Sequence, residues 1–297
     1  MARIDEPARE RVLGAMRAAG VVDAPDASPS AAVVVRPLDG GLGGRSYLAA
    51  AGGRRWVVRL SAETRPGALS LPVEARVTEQ AAALGIAPRV VAAEERTGAL
   101  ITEYLAGARS MTRQALASPQ NAPRIARLLR RLHGLEHPLR EFDPEAYAAA
   151  YTRGLDGALG APDRLRIDEL YALARAYRAR YPSEVLCHND LVASNVLDDG
   201  DLKLIDFEYA VTAAPMLDLA GIAALNDFDD DGWGLAQAYY EPTRVPFSRE
   251  ELRKVVRLVR LIAYFWALSS ALAAGGRGPY AEFAERAAAA LDETNRS

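Results

Sequence analysis

The chain has 297 residues, half of them hydrophobic, with a formal net charge of −3. That length supports one large domain or two lobes with a substantial core, and the absence of a basic excess argues against nucleic acid as a partner. A single cysteine, Cys187, excludes an internal disulfide, and the longest apolar run, Leu261 to Ala274, is 14 residues, short of the roughly 20 that cross a bilayer. We therefore expect a cytoplasmic protein that does not insert into a membrane.

In chain order, Met1 to Gly20 reads as a charged amphipathic helix without the apolar centre of a signal peptide. Ala31 to Arg36 is strand-like, and the glycine-dense stretch Asp39 to Ser46 is a loop. Tyr47 to Ala51 and Arg54 to Leu60 form a hairpin across Gly52-Gly53. Leu71 to Leu84 is a helix stopped by Gly85 and Pro88, and Val90 to Ala93 with Ala99 to Leu105 make a second hairpin around Thr97-Gly98. Beyond Ala108 the period becomes helical. Asn121 to His133 gathers Ile125, Leu128, Leu129 and Leu132 on one face, and further helices are predicted near 143–158, 163–181, 215–225, 248–273 and 279–293. Three short strands, Val185–Cys187, Asn195–Leu197 and Leu202–Ile205, interrupt this run. The fold class is α+β: a small antiparallel sheet lobe with one helix, residues 1–106, and a larger helical lobe, residues 107–297.

The most informative stretch is Cys187-His188-Asn189-Asp190-Leu191-Val192-Ala193-Ser194-Asn195, followed by Leu204-Ile205-Asp206-Phe207-Glu208-Tyr209. It sets an Asp, an Asn five residues on and a second Asp eleven further, each beside a short apolar strand. Phosphoryl transfer asks for a group that orients the attacking hydroxyl and for oxygen ligands to Mg²⁺. Asp190 is the candidate for the first task; Asn195 and Asp206 are candidates for the second. His188 is read as packing and hydrogen bonding to hold the loop. Any one of these alone reads as a turn or cap residue; the ordered set is what points to chemistry.

From Pro37 to Ala274 the chain resembles the aminoglycoside phosphotransferase and choline kinase group, within the protein-kinase-like fold. The run Ile205-Asp206-Phe207-Glu208-Tyr209-Ala210, with the later Leu217-Asp218-Leu219-Ala220, is similar to the choline and ethanolamine kinase branch in particular. The resemblance implies ATP and Mg²⁺ as cofactors, Glu208 as an additional metal group and Asp218 as a brace for the catalytic loop. It implies that Gly40, Gly41, Gly43, Gly44 and Ser46 cover the phosphates, although Gly43-Gly44 replaces the Thr-Asn common there. Arg59, in Trp56-Val57-Val58-Arg59-Leu60, stands where the family's third strand carries its phosphate-contacting base. Glu74 stands where the helix carboxylate that pairs with it belongs, and also reads as a solvated helix residue. Glu103, Tyr104 and Leu105 correspond to the hinge that receives adenine.

For the acceptor, a quaternary ammonium favours aromatic faces. Trp266 and Tyr209 are the candidates, with Ser269 where a further Trp often stands in choline kinases. Trp266 reads equally as a core residue of its apolar helix. Asn226-Asp227-Phe228-Asp229-Asp230-Asp231-Gly232 imitates a calcium loop, but its twelfth position is Ala238, so a helix-start turn is the reading, with Asp227 as a candidate for attracting a cationic acceptor. The expected activity is a small-molecule kinase acting on a hydroxyl of a cationic amino alcohol, choline or ethanolamine first and thiamine next. The alternatives are an aminoglycoside phosphotransferase and a nucleotide-binding pseudokinase.

Overall fold

The structure is a computed structural model that describes residues 4–22, 33–38, 45–61, 66–136, 138–155, 157, 159–226, 228 and 231–293. The chain divides into two compact units. Unit 1 comprises Met1–Met111 with Ser194–Tyr209; unit 2 comprises Thr112–Ala193 with Ala210–Ser297.

Unit 1 is built on a five-stranded antiparallel sheet in the order β1-β2-β3-β5-β4, with β1 at Val34–Pro37, β2 at Arg45–Ala51, β3 at Arg54–Leu60, β4 at Val90–Glu94 and β5 at Ala99–Glu103. Strand β3 lies at its centre and shows why. Trp56, Val58 and Leu60 alternate onto one face, where they pack with Val12 and Met16 of helix α1 (Glu6–Ala18). Val57 and Arg59 necessarily point to the other face. Asp5 caps α1, accepting the Ala8 N–H at 2.7 Å. Burying side chains of this size stabilises the unit by roughly 1.5–3 kcal/mol each. The β4–β5 turn is closed by Glu94, whose carboxylate accepts the Thr97 N–H at 2.9 Å, and by Gly98 at φ +68°.

Helix α2 (Leu71–Ala83) carries Pro72 in its first turn and buries Glu74, Ala75, Val77, Thr78 and Ala81, a helical stripe. Glu74 falls on that stripe and Glu79 on the exposed side. The remaining part of unit 1 is a three-stranded sheet, β6-β8-β9, with β6 at Arg109–Ser110, β8 at Val196–Asp198 and β9 at Leu202–Leu204. The expectation set the lobe boundary at 106/107 and left the 196–204 hairpin with the helices. By packing, that hairpin groups with the sheet. It pairs with β6, and the Leu204 N–H donates to the Ile86 carbonyl at 2.7 Å.

Unit 2 is helical: α3 (Arg113–Ala117), α4 (Ala122–His133), α5 (Pro144–Thr152), α6 (Ala161–Arg180), α7 (Met216–Leu225), α8 (Trp233–Tyr240), α9 (Arg249–Ala273) and α10 (Pro279–Glu293), with a two-stranded antiparallel pair β7 (Val185–Cys187) and β10 (Val211–Ala213). Every α7 residue from Met216 to Ala224 is buried, as a helix apolar on all sides requires. The α4 face of Ile125, Leu128, Leu129 and Leu132 is buried as its spacing demands. By length and composition α9 could cross a membrane. Here it packs on α5, α6, α7 and α10, burying Leu252, Val255, Val256, Leu258, Leu261 and Phe265, and a Ser248/Glu251 capping box starts it. The short elements α3, β6 and β10 were not expected from the sequence, and α8 was anticipated only as the helix-start turn ending at Gly232.

Candidate active site

In unit 1 the hairpin explains the spacing of Asn195 and Asp206. Strand β8, its turn and strand β9 occupy residues 196–204, and Val196 pairs with Leu204. The residues just outside therefore meet: the Ile205 N–H donates to the Asn195 carbonyl at 3.0 Å. Asp206 follows at φ +67°, a left-handed conformation uncommon for a residue with a Cβ. This turns the chain out of the strand immediately after the hairpin. Such outliers concentrate at functional sites.

Arg59 is the electrostatic centre. Its Nη2 is ion-paired with Glu74, its Nη1 lies 3.1 Å from Glu208 Oε2, and its Nε lies 3.6 Å from Asp206 Oδ1. The Arg59 and Glu74 side chains are only 9% and 2% exposed, so this pair is screened little by solvent. Burial opposes the guanidinium charge, but Glu74, Asp206 and Glu208 outweigh it and hold Arg59 above its ordinary range. Burial pushes the Glu74 carboxyl up to about 7; Arg59 pulls the other way, and Asp206 and Glu208 add to the rise. Glu208 is held in turn by its backbone, whose carbonyl accepts the Leu69 N–H at 2.7 Å just before α2.

Arg59 and Asp206 open onto a cleft of about 290 Å³ within unit 1, near the lower end of ligand-sized pockets. Leu38, Val57, Leu100, Leu197 and Ile205 give it apolar walls; Arg59, Asn195 and Asp206 give it a polar end; Ser46 lines it also. Glu103, Tyr104 and Leu105 line it as well. The Glu103 N–H donates to the Arg89 carbonyl at 2.9 Å, the Tyr104 N–H to the Arg55 carbonyl at 3.3 Å, and the Leu105 carbonyl accepts the Ala108 N–H at 3.3 Å. Among the described residues the Leu105 N–H has no hydrogen-bond partner and remains a donor for a ligand. The Arg55 guanidinium lies 4.8 Å from the Tyr104 ring centroid and fixes the segment from outside.

The donor set at the polar end fits Mg²⁺. Among the described residues Asp206 Oδ1 is buried, accepts no hydrogen bond and has only the Arg59 Nε at 3.6 Å, and Asn195, which lines the same cleft, would add a neutral oxygen.

In unit 2 the loop after β7 carries His188, Asn189 and Asp190. Asp218, 1% exposed in the first turn of α7, accepts the His188 N–H at 2.8 Å and the Asn189 N–H at 2.9 Å, one on each carboxylate oxygen. Burial alone would raise its pKa, but the His133 ring and these bonds hold the carboxyl below its usual range. Asn189 sits at φ +62°, a conformation Asn tolerates better than most residues. The fully buried His188 accepts the Asp190 N–H on Nδ1 at 3.3 Å.

The structure thus brings Arg59, Glu74, Asn195, Asp206 and Glu208 together in unit 1, and His188, Asp190 and Asp218 together in unit 2. Trp266 packs edge-on against Tyr280 at 5.6 Å and Phe283 at 5.9 Å of α10. Tyr209 belongs to unit 1, at the end of the short helical turn Phe207–Tyr209. Gly40, Gly41, Gly43, Gly44 and Asp227 lie outside the described residues. Sequence reasoning missed the contact of Glu208 with Arg59, 149 residues apart, and the contacts of His133, 85 residues from Asp218. The only sequence cue for His133 was its place at the end of the amphipathic α4.

Comparison with known proteins gives the class. The phosphotransferase enzyme family matches residues 34–254, most of the chain, so this protein belongs to that family and is a phosphotransferase. No curated protein matches the chain in sequence. Among solved structures, a choline/ethanolamine kinase family protein from Mesorhizobium loti superposes with a TM-score of 0.75 at 22% identity, covering 97% of this chain and 93% of that one. The choline kinase LicA from Streptococcus pneumoniae gives a TM-score of 0.76 at 20% identity, with 96% and 99% coverage. A thermostable mutant of aminoglycoside phosphotransferase APH(4)-Ia, in ternary complex with AMP-PNP and hygromycin B, gives 0.59 at 16% identity, with 89% and 95% coverage. These likenesses establish the kinase-like fold.

Proposed function

We propose that this phosphotransferase is an ATP- and Mg²⁺-dependent small-molecule kinase whose acceptor is a hydroxyl of a cationic amino alcohol, with choline and ethanolamine first and thiamine next. The observation that carries the nucleotide half is the Arg59 cluster. Arg59, braced by a buried Glu74, lines the same cleft as Asn195 and as Asp206, whose Oδ1 accepts no hydrogen bond. The amino alcohol is supported by the resemblance of the Asp206-Phe207-Glu208-Tyr209 run to the choline and ethanolamine kinase branch and by the likeness to a choline/ethanolamine kinase family protein and a choline kinase. A cytoplasmic location goes with this reading.

In this reading adenine bonds the Leu105 N–H, and Arg59 contacts the phosphates through its planar fork of donors. Asn195 and Asp206, with Glu208 beside them, would hold Mg²⁺, which when bound would neutralise charge developing on the phosphate oxygens. Asp190 orients the acceptor hydroxyl and takes its proton as the oxygen bonds to the γ-phosphorus. The bond from that phosphorus to the β-bridging oxygen breaks, ADP departs, and the proton passes from Asp190 to water.

An acceptor panel tests the assignment: choline, ethanolamine, thiamine and several aminoglycosides, each read by ADP release from MgATP. The amino alcohols are expected to support the fastest release, and Asp190→Ala to abolish it while nucleotide binding persists. Preferential release with aminoglycosides would replace the acceptor class, and no release with any hydroxyl compound would remove the kinase reading.

A further inference from the structure

Tyr239, the next-to-last residue of α8, has no role so far. Its hydroxyl lies 2.7 Å from His133 Nδ1, and His133 Nε2 lies 3.1 Å from Asp218 Oδ2. An ionised carboxylate only accepts, so the nitrogen that faces Asp218, Nε2, carries a proton, which leaves Nδ1 to bond the Tyr239 hydroxyl. Burial pushes the Tyr239 hydroxyl above its usual range, which keeps the proton in place. Asp218 passes the constraint on to the backbone N–H groups of His188 and Asn189, and His188 Nδ1 holds the N–H of Asp190. A continuous run of hydrogen bonds therefore leads from α8 to the residue that follows the strained Asn189.

The end of α8 is itself fixed. Arg130 Nη1 donates to the carbonyls of Ala238 and Tyr239, both at 2.8 Å, which are among the last carbonyls of α8 and have no partner within the helix. The Arg130 guanidinium also lies 6.0 Å from the Tyr239 ring centroid. Arg130 and His133 are three residues apart on α4 and so share one face. That face grips α8 at two points, one by its backbone and one by its hydroxyl.

We propose that Tyr239 is a positioning residue for phosphoryl transfer: acting through His133 and Asp218, it fixes the backbone of the His188–Asp190 loop. The inference rests on the reading that Asp190 handles the acceptor hydroxyl. Without the Tyr239 hydroxyl, Nδ1 loses its partner, and the ring is no longer held in the orientation that places Nε2 on the Asp218 carboxylate. The two backbone bonds that hold Asn189 at positive φ then weaken together.

The test uses the full chain with Tyr239→Phe, His133→Gln and the double variant. Hydrogen exchange at the His188 and Asn189 amides is followed alongside kcat and KM for MgATP, with choline as acceptor. Tyr239→Phe is expected to speed exchange at both amides and to lower kcat, each by about fivefold to tenfold, the worth of one buried hydrogen bond, with KM for MgATP within twofold. Adding Tyr239→Phe to His133→Gln should cost nothing more, because the hydroxyl acts only through the ring. Exchange and kcat at wild-type values in Tyr239→Phe, or losses that multiply in the double variant, would overturn the proposal. The exchange readout needs no turnover, so it judges the relay even if Asp190→Asn retains activity and the Asp190 assignment falls. Unchanged exchange beside an inactive Asp190→Asn variant would remove the relay alone.

Discussion

Replacing Arg59 with Met should destabilise the protein strongly, and more so at alkaline than at acid pH. The side chains of Glu74, Asp206 and Glu208 are 2%, 26% and 16% exposed, and Arg59 is the cation that all three face. Taking one partner out of a buried ion pair costs about 3–5 kcal/mol, because the remaining charge is left uncompensated. With the guanidinium gone, the buried Glu74 carboxyl relieves the repulsion by taking up a proton. Its folded pKa already stands at about 7, well above an unfolded glutamate near 4.5. A raised carboxyl pKa means that the folded state binds more protons than the unfolded state between these two values. Stability therefore rises as pH falls through 7, and the unfolded state catches up only near pH 4.5. The deficit of Arg59→Met relative to wild type should be about 3–5 kcal/mol at pH 8 and should shrink at pH 5.5. Urea unfolding followed by fluorescence of the buried Trp56 measures both. A variant within 1 kcal/mol of wild type at pH 8, or a deficit equal at the two pH values, would refute the reasoning.

Three further outcomes follow from other parts of the molecule. Glu74→Gln should flatten the fall in stability between pH 5 and 8, a change of at most about 3 kcal/mol for a shift of this size, read by the same unfolding series. Gly232→Ala should cost roughly 1–3 kcal/mol in thermal unfolding, since Gly232 has φ +79° and an added Cβ would lie 2.9 Å from the Ala223 Cβ. Asp190→Ala should reduce ADP release by about 10²- to 10⁴-fold, the usual worth of a positioned acid–base group, with AMP-PNP affinity by calorimetry changed little.

The parts of this site that the sequence exposed are those whose logic is local. Asp190, Asn195 and Asp206 sit within one stretch of chain, and a hairpin of 196–204 is enough to set the last two side by side. Arg59 is legible through the resemblance of Trp56-Val57-Val58-Arg59-Leu60 to the family's third strand. Glu74 is legible through the same resemblance, and helical spacing adds that Glu79 faces elsewhere, where it is exposed. What stayed hidden depends on distant partners. Nothing near Glu208 announces Arg59, and nothing in Trp233–Tyr240 announces His133, because each contact forms only when remote elements pack. Strands β6 and β10, of two and three residues, are defined by their partners rather than by a pattern of their own. Helices α3 and α8, of five and eight residues, are too short for a 3.6-residue period to stand out.

The central claim is that the Asp206 carboxylate and the Asn195 amide hold a divalent ion against a nucleotide in the Arg59 cleft. Calorimetric titration of AMP-PNP with and without Mg²⁺, into wild type and Asp206→Asn, tests it most directly. The account predicts that Mg²⁺ tightens binding to wild type by about tenfold or more, the scale of one charge-assisted contact, and that Asp206→Asn abolishes the difference. Equal affinities with and without Mg²⁺ in wild type, or an undiminished Mg²⁺ effect in Asp206→Asn, would contradict it.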